Sequence, residues 1–178
     1  MSQASAVFIN ILNVIDTEYI KAHYSNPSQD PNNPTGIDHN SEFMICTGAR
    51  SIISGQGGPV LNFGANPGDE VSFRGVSIYD NSEDAVIVYG IKPYGGSSNL
   101  FNTFVSDVVT LTGAIVPDTN QVNGIPAVLQ TINFTSLDSK VKAKGTENFV
   151  VQFGLYTLNG ETQSLFGYFS WDPTITVS

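Results

Sequence analysis

Hydrophobic and polar positions alternate with a period of two along most of this chain, a pattern typical of β-strands. Short alternating runs recur from residue 43 onwards, and turn-forming Gly, Pro, Asn and Asp residues separate them. The strongest turn is Asn159-Gly160, which predicts a hairpin between strands at 148–158 and 163–171. Roughly eight to ten strands at this spacing predict an all-β fold, an antiparallel two-sheet β-sandwich that is jelly-roll-like or immunoglobulin-like. We expect residues 1–178 to form one such domain.

The first apolar segment spans residues 4–15 and is rich in β-branched side chains. Both of its faces carry apolar residues, which indicates a buried strand. Asp16 follows it and predicts the N-cap of a short helical turn that runs to Tyr24, because an aspartate at this position accepts backbone N–H bonds.

A long Pro/Asn-rich segment at residues 25–41 interrupts the alternating pattern. It contains the steps Asn26-Pro27, Asp30-Pro31 and Asn33-Pro34, and each proline disfavours both helix and central strand. A loop of this length in a compact domain is either functional or disordered. The proline content favours a fixed loop that packs against the sandwich.

The inward-facing positions of the alternating runs predict the core. The apolar residues that we expect there are Val7, Ile9, Phe43, Ile45, Phe73, Val86, Val88, Phe149, Val151, Phe153, Phe166 and Phe169. Trp171 and the single cysteine, Cys46, sit among apolar neighbours and are also expected to be buried.

Composition narrows the possible partners. Charged residues make up only 13% of the chain, and the formal net charge is −9. An acidic surface repels phosphate backbones, so we expect no nucleic-acid partner. No apolar run approaches the length of a membrane span, and no cleavable signal pattern is present, so we expect no membrane association and a cytoplasmic location.

The sequence shows no phosphate-binding loop, no zinc-ligand spacing and no nucleophile elbow. We therefore expect no catalytic residues, no metal site and no cofactor. One polar group in the long loop is a candidate ligand or partner surface: Asp30, Asp38, His39 and Asn40. The alternative is that these side chains hold the loop together by bonding its backbone. The acidic turn Asp80, Glu83 and Asp84 is expected to face solvent.

Longer segments carry a family resemblance. The stretches INILNVIDTEYIKAHY, NPSQDPNNPTGIDHNSEFMICTGAR, NFGANPGDEVSFRG, SIYDNSEDAVIVYGI and GYFSWDPTITV resemble the bacterial AidA/PixA family, in family order over nearly the whole chain. The resemblance implies a cytoplasmic bacterial protein linked to quorum-sensing or stationary-phase expression, and some members form intracellular inclusion bodies. The inclusion-body member is methionine-rich, whereas this chain has two methionines and looks closer to the AidA side.

These observations predict a protein that is not an enzyme. The leading hypothesis is a self-associating structural or interaction protein, a homo-oligomer and most simply a two-fold dimer. The alternative is a β-sandwich module that binds a carbohydrate or another small ligand.

Overall fold

The computed structural model of the protein describes residues 5–178. Over this range the chain folds into twelve β-strands and one α-helix, which confirms the predicted all-β class. The predicted first strand begins at Phe8, and its predicted first residue, Ala4, lies outside the described residues. The helix, α1 (Thr17–His23), begins as predicted, because the Asp16 carboxylate accepts a hydrogen bond from the Tyr19 backbone N–H at 3.0 Å.

The strands are numbered in chain order: β1 (Phe8–Ile15), β2 (Thr35–Gly36), β3 (Glu42–Thr47), β4 (Ser51–Ser54), β5 (Leu61–Gly64), β6 (Glu70–Ser77), β7 (Ala85–Pro93), β8 (Val105–Val116), β9 (Val128–Lys140), β10 (Gly145–Asn159), β11 (Thr162–Trp171) and β12 (Thr174–Val177). The two-residue connection after Asn159 joins β10 to β11 as the sequence predicts. In the part of the chain that the structure describes, no helix is long and apolar enough to cross a membrane.

The first sheet has five strands in the order β3-β1-β6-β9-β8. β1 and β6 run parallel, in register from the pair Phe8 and Glu70 to the pair Ile15 and Ser77. The other three pairs in this sheet are antiparallel. Between β1 and β6 the chain forms α1 and four further strands, which supply the long crossover that a parallel pair needs.

The second sheet has seven strands and is built around β10. β11 pairs with one edge of β10, whereas β12 and β7 share the other edge, at residues 145–148 and 149–156 respectively. β12 also pairs in parallel with β5, and β2 pairs in parallel with β11. Both sheets are therefore mixed, and not purely antiparallel as the sequence predicted. The prediction missed the parallel pairs because local alternation does not reveal the long crossover connections that join parallel strands.

The core lies between the inner faces of the two sheets and confirms most of the predicted positions. The predicted core residues that are fully buried are Ile9, Phe73, Val86, Val88, Phe149, Val151, Phe153 and Phe169, and Cys46 and Trp171 join them. Val7 and Phe166 are half-buried and pack against this cluster.

The prediction is wrong for Phe43 and Ile45, whose side chains are 37% and 40% exposed. The inward positions of β3 are Glu42, Met44 and Cys46. Because β3 carries apolar residues on both faces, its sequence does not identify the inner face, and the register with β1 places the ionisable Glu42 inside.

An ion pair between the exposed Arg50 and the buried Asp69 fixes the beginning of the first sheet. The Arg50 guanidinium donates to both carboxylate oxygens of Asp69, at 2.7 and 2.8 Å. The same carboxylate accepts the backbone N–H groups of Val7 and Asn66 at 3.0 and 2.7 Å. Arg50 lowers the pKa of the Asp69 carboxyl to about 2, so this residue stays ionised and holds the residues before β1 beside those before β6.

The long loop packs against the second sheet, as predicted. The Tyr168 N–H donates to the Ser28 carbonyl at 2.8 Å, and the Ile37 N–H donates to the Ser170 carbonyl at 2.9 Å. A Cβ atom at Gly167 would lie 2.4 Å from Pro27 Cγ, so only glycine lets the loop approach β11 this closely.

We expect deletion of residues 28–36 to lower the melting temperature, because it removes β2 and the Ser28 contacts with β11. Gly167→Val tests the same contact without shortening the chain, and overpacking against Pro27 should destabilise the fold by about 1–3 kcal/mol. Both effects are measured by thermal unfolding and urea denaturation.

Gly95→Val is the matched control, because the Cβ of a residue at this exposed turn position would meet nothing within 4 Å. An unchanged melting temperature for the deletion, or equal effects of the two glycine substitutions, would contradict a packed loop.

Candidate functional site

Two of the four predicted loop residues meet around one tyrosine. The Tyr19 hydroxyl donates to Asp38 Oδ2 at 2.8 Å, and Asn40 Nδ2 donates to the Tyr19 oxygen at 3.0 Å. Desolvation opposes ionisation of Asp38, but hydrogen bonds from Tyr19 and Asn40 outweigh it and lower the pKa of Asp38. The hydrogen bond to Asp38 raises the pKa of Tyr19. This group links the helix to the end of the long loop.

The other two predicted residues have different partners. His39 Nε2 lies 2.9 Å from Asp172 Oδ1, which connects the loop to the residues between β11 and β12. Asp30 Oδ1 accepts from the backbone N–H and the side-chain amide of Asn32, at 2.9 and 3.2 Å. The contacts of all four residues therefore hold the loop, and their predicted role as a ligand or partner surface stays a prediction.

Within residues 5–178, no group of three or more His, Cys, Asp and Glu side chains is placed to hold a metal ion.

The acidic turn differs from its prediction at one residue. Asp84 is buried, and its Oδ2 atom lies 2.7 Å from Lys21 Nζ. Lys21 also lies 2.6 Å from Glu18. Desolvation opposes the charge on Lys21, but its hydrogen bonds to Asp84 and Glu18 outweigh that effect and raise its pKa. The expectation of a solvent-facing Asp84 is wrong because a helical lysine distant in sequence reaches it.

Glu42 is a fully buried acid on the inner face of β3. Its Oε1 atom accepts a hydrogen bond from the Ser41 hydroxyl, while its Oε2 atom has no hydrogen-bond partner in the described structure. Burial raises the pKa of Glu42 to about 7, and this effect exceeds the stabilisation of the carboxylate by Ser41 and by nearby His39. Glu42 therefore exchanges a proton near neutral pH inside the core.

A projecting hairpin carries nine of the 21 large apolar side chains that are exposed among the described residues. β8 and β9 have 12 and 13 residues, but β9 pairs with β6 only through residues 137–140. Residues 108–136 therefore extend past the sheet as a two-stranded ribbon, which we call the hairpin arm. Only one charged residue, Asp118, occurs between residues 108 and 137.

Both faces of the hairpin arm carry exposed apolar side chains. Strand alternation and register place Val109, Leu111 and Phe134 on one face. They place Val108, Ile115 and Leu129 on the other. An isolated two-stranded hairpin has no core in which to bury such residues. Sequence reasoning predicted the strands but not the projection, and the lack of charge over this stretch was the available signal.

Comparisons with known protein families and with solved structures point to the same protein family. The family model described as PixA, inclusion body protein, matches residues 7–177 of the chain. The crystal structure of an inclusion body protein, PixA, from Burkholderia cenocepacia J2315 is similar, with a TM-score of 0.84 and 33% sequence identity. The similarity covers 99% of this chain and 98% of that one. No curated protein matches the sequence.

The buried Glu42 generates a prediction about pH. Its pKa in the folded state lies above the unfolded value of 4.5, so the folded state binds this proton more tightly. The stability that this group contributes is full below pH 4.5 and is lost as the pH rises through about 7. We expect Glu42→Gln to remove this dependence, so that its unfolding free energy relative to wild type increases by up to about 3 kcal/mol between acidic and alkaline pH.

Urea denaturation at a series of pH values measures this difference, because other titrating groups affect both proteins alike. Glu83→Gln, the same change at an exposed position, is the matched control and should follow wild type. Parallel pH profiles for wild type and Glu42→Gln would show that Glu42 does not titrate in this way.

Proposed function

Because the chain belongs to the PixA family of inclusion body proteins, we propose that it is a self-associating structural protein and that copies associate through the hairpin arm. Family membership confirms the resemblance seen in the sequence. The observation that carries the proposal is the hairpin arm itself, which exposes apolar side chains on both faces. A second copy of the chain is the occupant that we propose for it.

The distribution of charge supports a second copy as the partner. Two chains with a net charge of −9 repel each other over most of their surfaces. The hairpin arm is nearly free of charge, with Asp118 at its tip loop as the exception. Like-charged copies therefore meet with the least repulsion at this surface, and desolvation of its apolar side chains favours contact.

The size and the edge of the hairpin arm support the same proposal. It spans 29 residues, and a stable protein interface takes roughly 20–30 residues from each side. β8 is also the last strand of its sheet, so its outer edge is free to pair with another strand. Edge strands are usually protected by lysine, proline or a bulge; β8 contains neither lysine nor proline and has one charged residue, Asp107, and its one irregularity is a register shift between Leu111 and Ala114.

The remaining parts of the proposal are supported by membership of the PixA family. PixA proteins are described as inclusion body proteins and not as enzymes, and we propose a non-enzymatic role here. We further propose a cytoplasmic location and expression linked to quorum sensing or stationary phase. Formation of inclusion bodies by this chain would be an extension of the same self-association.

We expect Leu129→Lys to weaken self-association, because it places a charge on the apolar face of the hairpin arm. The substitution also makes the net charge less negative, so general repulsion between copies decreases and cannot explain a loss of association. Sedimentation velocity should show a dimer or a larger species for wild type and a monomer for the variant.

Ile78→Lys is the matched control, since it makes the same change at an exposed apolar residue outside the hairpin arm and should leave the assembly unchanged. A wild-type protein that stays monomeric at high concentration would contradict self-association. A Leu129→Lys protein that assembles like wild type would contradict the assignment to the hairpin arm.

We expect reversible condensation of the assembled protein as the pH falls to roughly 4 to 5, where carboxylates protonate and repulsion between copies disappears. The sequence isoelectric point of about 4.3 lies in this range. Light scattering against pH, with and without reductant, measures it. Reductant should have no effect, because Cys46 is buried and burial raises the pKa of its thiol to about 11. Unchanged solubility near the isoelectric point would contradict the charge argument.

A further inference from the structure

A groove of about 480 Å³ crosses the outer face of the five-stranded sheet. Its floor consists of β1, β6 and β9, and residues 102–105 form a wall on one side. The volume lies within the range of small-molecule sites, roughly 300–1,000 Å³. None of the predicted loop residues takes part in it, so this groove is separate from the loop around Tyr19.

Strand register places polar side chains in rows across the groove. Asn10, Ser72 and Asp138 occupy equivalent positions on β1, β6 and β9, so they form one row. Phe8 and Lys140 flank Glu70 in the neighbouring row. Since side chains two residues apart on a strand share a face, both rows project from the same side of the sheet.

Ser72, at the centre of the first row, has an unusual environment. Its Oγ atom is buried and has no hydrogen-bond partner in the described structure. A buried hydroxyl normally has a hydrogen-bond partner, because an unsatisfied one destabilises the fold. This Oγ atom has almost no accessible surface, so a molecule in the groove would meet Asn10 and Asp138 of the same row and not the Ser72 hydroxyl.

The charges that line the groove balance one another. Lys140 Nζ lies 3.3 Å from Glu70 Oε1, and Arg74 donates to Asn10 Oδ1 at 3.1 Å. The charged side chains of the lining are two cations, Lys140 and Arg74, and two anions, Glu70 and Asp138. On a protein with a net charge of −9, this neutral region offers both hydrogen-bond donors and acceptors and favours neither anions nor cations.

An exposed aromatic ring completes the lining. Phe8 is 70% exposed although it lies in a strand, and it borders the groove. An exposed ring beside polar side chains provides an apolar surface against which the C–H face of a sugar ring can pack. Donors, acceptors and an aromatic surface together suit a ligand with many hydroxyl groups and one apolar face.

We propose that this groove binds a neutral saccharide, with Phe8 packing against the sugar ring and Asn10 and Asp138 hydrogen-bonding its hydroxyl groups. This inference is independent of self-association, because it uses the outer face of β1 and β6 and not the hairpin arm. Charge balance sets the preference for neutral sugars over their charged derivatives.

Ligand-observed NMR of the intact protein at millimolar sugar concentrations tests the proposal. The neutral probes are D-glucose, D-galactose, D-mannose and N-acetyl-D-glucosamine, and the charged probes are glucose 6-phosphate and glucosamine. We expect saturation transfer to at least one neutral probe and tighter binding of that probe than of either charged one. No transfer to any neutral probe, or tighter binding of a charged probe, overturns the proposal.

Two variants assign the binding to the groove. Phe8→Ala should weaken binding roughly tenfold, and Asn10→Ala roughly fivefold. Asn10→Ala should fold about as stably as wild type, because Asn10 is exposed and loses a surface hydrogen bond from Arg74. Tyr94→Ala is the matched control, since Tyr94 is 68% exposed and lies outside the groove. Equal affinities for wild type, Phe8→Ala and Asn10→Ala would refute the site.

The same variants separate this proposal from self-association. Phe8→Ala should leave the sedimentation behaviour unchanged, and Leu129→Lys should leave sugar binding unchanged. Loss of sugar binding in Leu129→Lys together with dissociation would place the sugar site at the interface between copies and overturn its assignment to the groove of a single chain.

Discussion

The buried carboxylate of Asp69 is the constraint on which the first sheet depends. It receives two hydrogen bonds from Arg50 and two from backbone N–H groups that precede β1 and β6. A parallel pair has no tight turn to set its register, so another interaction must do so. The Asp69 carboxylate is placed to perform that role, and the outer-face rows of β1 and β6 follow from the register that it fixes.

Much of the architecture could be predicted from local sequence patterns. Alternation predicted the strands, Asp16 predicted the start of the helix, and Asn159-Gly160 predicted the hairpin between β10 and β11. Strand pairing over long separations left no such signal, which is why the parallel pairs were not foreseen. The apolar faces of β3 misled the core prediction, because Phe43 and Ile45 are more hydrophobic than the Glu42 that lies inside.

The candidate site was harder to predict than the fold. The loop residues were chosen because oxygen-rich side chains are close in sequence, but their hydrogen bonds mainly stabilise the loop. The hairpin arm and the groove depend instead on where a strand leaves its sheet and on which residues face each other across three strands. The scarcity of charged residues between residues 108 and 137 was a partial sequence signal for the hairpin arm. Nothing in the sequence indicated that Ser72 and Phe8 lie on a common surface.

The position of β12 has a consequence for how the chain reaches its fold during synthesis. β12 joins β10 to the pair of β5 and β4, so the second sheet remains in two pieces until residues 174–177 have been made. Until then the nascent chain presents the unpaired edge of β5 and the first residues of β10. Such edges bind other strands readily, so the chain is open to pairing with strands of other molecules until β12 is in place.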